Sequence, residues 1–169
     1  MPERQPRLLW SRSLTVLLLL ASLSALQNVA SAAEAPGAAA SPDASTRLEV
    51  LEPLAAQGHA SAQFNLGVLH DVGRGVWQDH ALAARWYRMA AKQGHAAAQF
   101  NLGGLYFDGQ GVPKDLVRAA VWFTLAATAG FDGATRNRNS VFTLLSVAQI
   151  ADVQQQARAC RQNSYRDCD

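Results

Sequence analysis

Only two of the 169 residues are cysteines, Cys160 and Cys168, and charged side chains make up 17% of the chain. A Walker loop, a Gly-x-Ser-x-Gly elbow, a His-Glu-x-x-His pair and a cysteine with a placed histidine are all missing. These absences remove the usual arrangements for nucleotide, ester and metal-assisted hydrolysis, so no enzyme, catalytic residue or cofactor is expected. No basic stripe offers a footprint for nucleic acid. Strand-like alternation is absent over any useful length, which leaves an all-α reading. The longest apolar run, LTVLLLLASLSAL at 14–26, has 13 residues, whereas a spanning helix needs about 20.

That run follows Arg4, Arg7 and Arg12 and precedes the small residues Ala30-Ser31-Ala32. The order of basic, apolar and small residues describes a secretory signal peptide over 1–32; an uncleaved anchor is the alternative. Removing 1–32 takes away three arginines and one glutamate and leaves 12 basic and 12 acidic residues, so the chain that remains is formally neutral. The expected location is periplasmic or secreted, with no membrane span after cleavage. Residues 33–46, almost all Ala, Pro, Ser and Gly up to residue 45, read as a flexible linker. In an exported chain Cys160 and Cys168 read as a local disulfide, the alternative being two thiols on a frayed tail in 164–169. A continuous helix would hold their Cα atoms about 12 Å apart, so a disulfide requires the last helix to stop near Gln162–Ser164.

Between these ends the chain repeats itself. GHASAQFNLG at 58–67 returns as GHAAAQFNLG at 94–103, and residues 58–93 match 94–129 at 19 of 36 positions. A fixed offset of this size marks a repeat architecture. Within each unit, Ala62, Leu66 and Leu69 share one helical face, and Ala83, Trp86, Tyr87 and Ala90 share another. The loops DVGRGVWQD and FDGQGVPKD join them: Gly75 and Gly111 permit positive φ, and Asp79 and Asp115 stand where the next helix needs an N-cap. Asp132 is read as a cap in the same way. Small residues, Gly67 and Gly103 among them, allow close approach, while Trp86 and Trp122 fill the wider gaps. Partial units are expected at 47–57 and 130–163, the latter ending in a capping helix with a Ser146/Gln149 capping box and an Ile150, Val153, Ala157, Cys160 stripe.

The second unit, GHAAAQFNLGGLYFDGQGVPKDLVRAAVWFTLAATAG, resembles the Sel-one-like repeat (SLR), a tetratricopeptide-related unit of pattern A-x-A-Q-x-x-L-G-x-x-Y-x-x-G-x-G-V-x-x-D-x-x-x-A-x-x-W-x-x-x-A-A-x-x-G. The resemblance covers roughly 47–130. His70 departs from it where Tyr106 keeps the family's tyrosine, and Trp77 stands in the place of Pro113. The resemblance implies an α/α superhelix, a short solenoid of helix-turn-helix repeats, that acts as a scaffold or adaptor for other proteins; with the export signal, an unknown protein or peptide of the cell envelope is the expected partner. Some cysteine-rich exported relatives carry hydrolase activity on cell-wall or β-lactam-like substrates, but they place a cysteine pair in every repeat and these repeats contain none. A self-associating architectural subunit is a further alternative, and the oligomeric state is left open.

Asn65, Asn101 and Asn137 recur at the 36-residue offset. On a helix that lines the concave face they could bind the backbone of an extended peptide; the competing reading is hydrogen bonding between repeats. Val68, Phe107 and the loop-tip Trp77 complete the candidate partner-binding set. His59 and His95 are better explained as helix caps than as metal ligands, and no metal site is expected.

Overall fold

The computed structural model describes residues 42–166 and Cys168, and among them there are seven helices and no strand. In chain order they are α1 Pro42–Ala56, α2 Ala60–Val72, α3 His80–Ala91, α4 Ala96–Asp108, α5 Leu116–Thr128, α6 Ala134–Phe142 and α7 Val147–Gln162. Each of the first five packs on its successor, and α7 packs on α5. The result is an all-α superhelix of helix-turn-helix units. Residues 1–32, the expected signal peptide, lie outside the described residues. Of the expected linker 33–46, residues 42–46 lie in α1, and 33–41 lie outside the described residues.

The turns explain why the phrase repeats. Gly73 N–H and Arg74 N–H donate to Leu69 O, and Asp79 N–H donates to His70 O at 2.8 Å. Thirty-six residues on, Gly109 and Gln110 donate to Leu105 O, and Asp115 N–H donates to Tyr106 O at 2.9 Å. Asp79 and Asp115 then cap α3 and α5, accepting from Leu82 N–H and Arg118 N–H at 2.9 Å each. Gly67 and Gly103 have a different reason to be small. A Cβ on Gly67 would stand 2.5 Å from the Tyr87 ring, and one on Gly103 would stand 2.9 Å from the Phe123 ring. An aromatic ring of the second helix thus packs directly against the glycine of the first.

Two buried glutamines, which the sequence reading did not single out, join the units. Gln63 Nε2 donates to Ala55 O at 3.1 Å, and Gln99 Nε2 donates to Ala91 O at 3.2 Å. Each first helix thereby adds a second donor to a terminal carbonyl of the preceding second helix, which already accepts from the N–H of Gly58 or Gly94. The Oε1 of Gln63 accepts from Gln93 Nε2 at 2.7 Å. The Oε1 of Gln99 is buried without a partner, because Ala129 occupies the position equivalent to Gln93. An unsatisfied buried acceptor costs about 1–3 kcal/mol. Ala129→Gln is therefore expected to stabilise the fold by about 1 kcal/mol, read as a raised urea midpoint at unchanged slope. The same substitution in a Gln99→Leu background should give no gain.

The third unit is shorter. Gly130 keeps the positive φ of Gly58 and Gly94, and Phe131 N–H donates to Ala126 O just as His95 N–H donates to Ala90 O. α6 then begins with Gly133 as its N-cap and no side-chain capping bond. Asp132 is therefore not a cap, contrary to expectation. It stands one residue too early for its carboxylate to serve the first turn. α7 opens with the expected Ser146/Gln149 capping box and buries Val153, Ala157 and Cys160. It stops at Gln162, and Cys160 and Cys168 are disulfide-bonded with Cα atoms 5.0 Å apart. Ser164 and Tyr165 make the return in positive φ, which brings the Tyr165 ring against Gly94.

Candidate protein-interaction surface

Helices α2, α3 and α4 meet at Tyr87. Its hydroxyl donates to Asp71 Oδ2 at 3.1 Å, while Asp71 Oδ1 lies 2.8 Å from His80 Nδ1. Burial, then the Asp71 charge, pushes the Tyr87 hydroxyl well above the usual phenol range, against a lowering hydrogen bond from Asn101. In the next unit the corresponding residues are Phe107, Leu116 and Phe123, so a polar junction has been exchanged for an apolar one. One rung farther along the stack, Arg88 donates to the Tyr106 hydroxyl at 2.7 Å. The position where Tyr106 stands is occupied by His70 in the first unit, and the Nδ1 of His70 is buried without a partner.

The histidine pair divides. His95 Nδ1 accepts from Ala98 N–H at 3.2 Å and caps α4, whereas His59, the N-cap of α2, makes no side-chain capping bond. The His95 ring stacks on Phe64 at 4.7 Å, and Phe131 replaces it against Phe100 in the next unit, at 5.0 Å. Burial lowers the His95 pKa below its ordinary value. Folding then favours the neutral ring, so this stability is fully present above the unfolded pKa of about 6.5 and is lost as pH falls through the folded value. Acidification from neutral is expected to lower the thermal midpoint. In His95→Asn, which keeps a capping oxygen without a titrating ring, the loss should be smaller. Among the described residues no group of three His, Cys, Asp or Glu side chains is placed to hold a metal ion.

The six candidate partner-binding residues do not form one patch. Asn65 and Val68 line a groove of about 590 Å³ between α1 and α2. Val50 and Leu51 from α1 line it with Leu69 and Val72 from α2, and among the described residues its charged lining residues are Arg47 and Arg74. Val50 and Val72 are 57% and 61% exposed. At the other end of the stack, Phe107 and Asn137 line a 130 Å³ cavity with Phe123 and Val141. Asn101 is half-buried between them and is engaged with Tyr87. Trp77 stands alone at its loop tip, 81% exposed. Of the structural set, Trp122 is fully buried and Trp86 half-buried, and Gly75 and Gly111 both adopt positive φ.

A Sel1 repeat model matches residues 60–95 and 96–131. A solved Sel1 repeat protein from Oxalobacter formigenes is 38% identical, with a TM-score of 0.54 over 55% of this chain and 70% of that one. The chain belongs to the Sel1 repeat family. A second solved structure, a protective antigen of uropathogenic Escherichia coli strains with an SLR fold, is 36% identical at a TM-score of 0.64. That match covers 70% of this chain, which spans only 26% of the antigen's. No curated protein matches the chain significantly. Sel1 repeat proteins are in general protein-interaction scaffolds. Each matched Sel1 repeat takes in one helix pair, α2 with α3 and α4 with α5. No described helix is long and apolar enough to cross a membrane.

Proposed function

We propose that this chain is an exported scaffold that binds a protein or peptide of the cell envelope on the concave face of its repeats, through its first helices. One observation carries the reading: the inter-repeat hydrogen bonds are made by Gln63 and Gln99, which leaves the neighbouring positions of those helices available. Asn65 is exposed, and a Cβ on Gly104, the equivalent of Val68, would meet nothing within 4 Å. The tail disulfide and the likeness to a bacterial antigen support export. The expected signal peptide over 1–32 supports it further.

Photoreactive residues at Gly104 and Trp77 test this in cells, with Gln155 on α7 as the reference position. Gln155 is exposed on the opposite end of the stack. One protein crosslinked from Gly104 or Trp77 and not from Gln155 is the expected result. Products containing only this chain would instead favour the self-associating architectural subunit.

A further inference from the structure

The cavity where α4, α5 and α6 meet has a counterpart one repeat earlier, and the two are finished with different chemistry. The cavity measures about 130 Å³ and is lined by Phe107, Phe123, Asn137, Ser140 and Val141. Thirty-six residues earlier the same positions are Asp71, Tyr87, Asn101, Gly104 and Leu105. There the Tyr87 hydroxyl donates to Asp71 Oδ2 at 3.1 Å and is hydrogen-bonded by Asn101. Phe123 carries no hydroxyl and Phe107 no carboxylate. Asn137 therefore keeps the amide of Asn101 at a place where the phenol oxygen that Asn101 bonds does not exist.

Size and lining agree on one aromatic ring with one oxygen. An apolar protein cavity of about 150 Å³ takes benzene, and rings prefer offset or edge contacts with other rings, which Phe107 and Phe123 offer beside Val141. The Asn137 amide can both accept from and donate to a hydroxyl. Ser140 is exposed and marks the rim, and its hydroxyl is already donated to Arg136 O at 3.1 Å. The chain cannot supply the ring itself. Its three tyrosines are Tyr87 against Gly67, Tyr106 bonded to Arg88 and Tyr165 against Gly94, and residues 1–41 contain none. We propose that this cavity binds a phenol from outside the chain, with its ring against Phe107, Phe123 and Val141 and its hydroxyl on Asn137. Two sources present that chemistry, a free monocyclic phenol and the tyrosine side chain of a bound protein. Only the second rests on the scaffold reading above.

The test titrates p-cresol, the tyrosine side chain as a free molecule, and toluene, the same ring without its oxygen, into the isotope-labelled full chain, read by amide NMR shifts. p-Cresol should shift the Asn137 side-chain amide and the Val141 backbone amide, and it should bind about fivefold tighter than toluene. In Asn137→Leu the two should bind alike. Phe123→Tyr should weaken p-cresol about tenfold, because the new hydroxyl takes the place beside Asn137 that the Tyr87 hydroxyl takes beside Asn101. Amide spectra unchanged away from the cavity show that both variants are folded. N-acetyltyrosine amide separates the sources: binding like that of p-cresol assigns the site to a tyrosine of a bound protein, and binding of p-cresol alone assigns it to a free phenol. Equal affinity for p-cresol and toluene, no saturation by p-cresol below about 10 mM, a preference that survives in Asn137→Leu, or unchanged binding to Phe123→Tyr overturns the proposal. So does a photoreactive residue at Ser140 that, with no ligand present, crosslinks to residues 1–41. If p-cresol binds while Gly104 and Trp77 crosslink no other protein, the phenol site stands and the scaffold falls. If p-cresol fails while those positions crosslink a separate protein, the scaffold stands and the phenol site falls.

Discussion

Gly111→Ala is expected to destabilise the fold by about 3 kcal/mol, with a fall in thermal midpoint of roughly 10 °C. Two costs add at this position. Gly111 has a φ of +67°, a conformation that costs an L-residue about 1–2 kcal/mol. A Cβ there would also overlap the backbone of His80 and Ala81 at the start of α3, and backbone cannot move aside as a side-chain tip can. The turn of the second repeat is thus seated on the opening of the first repeat's second helix, and any added atom must pry the repeats apart. Gly130→Ala isolates the first cost, because Gly130 has a φ of +79° and open space around its Cβ position. That variant should lose about 1 kcal/mol. Equal losses from the two variants, measured by urea denaturation, would mean that the contact between the repeats contributes nothing.

The features that recur at a fixed offset were legible in the sequence, and those that depend on what lies across an interface were not. Asp79 and Asp115 carry their role in their local context, since a cap needs only the first turn that follows it. Asp132 shows the limit of that logic: the helix it was expected to cap starts after Gly133, a shift of register that composition does not signal. Gln63 and Gln99 are in plain view in both copies of the phrase, yet a glutamine in a helix reads as a solvated residue until its neighbour is known. The one available signal was that Gln63 and Gln99 recur unchanged at the 36-residue offset, each between an alanine and a phenylalanine. The asparagine ladder drew attention for the same recurrence, but Asn65 opens on the groove, Asn101 bonds Tyr87, and Asn137 lines a cavity with Phe107.

The two ends of the stack are finished differently. At the C-terminal end, α7 covers α5, the disulfide holds the final turn, and Tyr165 comes back onto Gly94. A solenoid needs such a cap where stacking stops. Where the described residues begin, α1 offers Val50 and Leu54 to solvent together with Val72 of α2, as Leu144 and Val147 are offered at the other end. The Pro53 inside α1 removes one helix hydrogen bond there as well. The stability of the stack should therefore rise from the first unit to the second, and the tryptophans report it.

Trp122→Ala is expected to cost about 4 kcal/mol and Trp86→Ala about 2 kcal/mol, although both tryptophans hold the same position in their repeats. Trp122 is fully buried within the large cluster that includes Val141, Val153 and Ala157. Trp86 is half-buried and packs on the smaller cluster of Ala55, Ala62, Leu66 and Leu69. Cavity formation scales with the atoms that surround the deleted ring, so the better-enclosed tryptophan loses more. Each indole Nε1 is buried without a partner, which supplies a second comparison. Trp122→Phe keeps most of the apolar contact and removes the unpaired donor, so its cost should fall below about 1.5 kcal/mol. Urea midpoints at unchanged slope measure all three. A Trp86→Ala loss equal to that of Trp122→Ala would show that the first unit is as firmly enclosed as the second. The α1–α2 groove would then be a feature of a closed end.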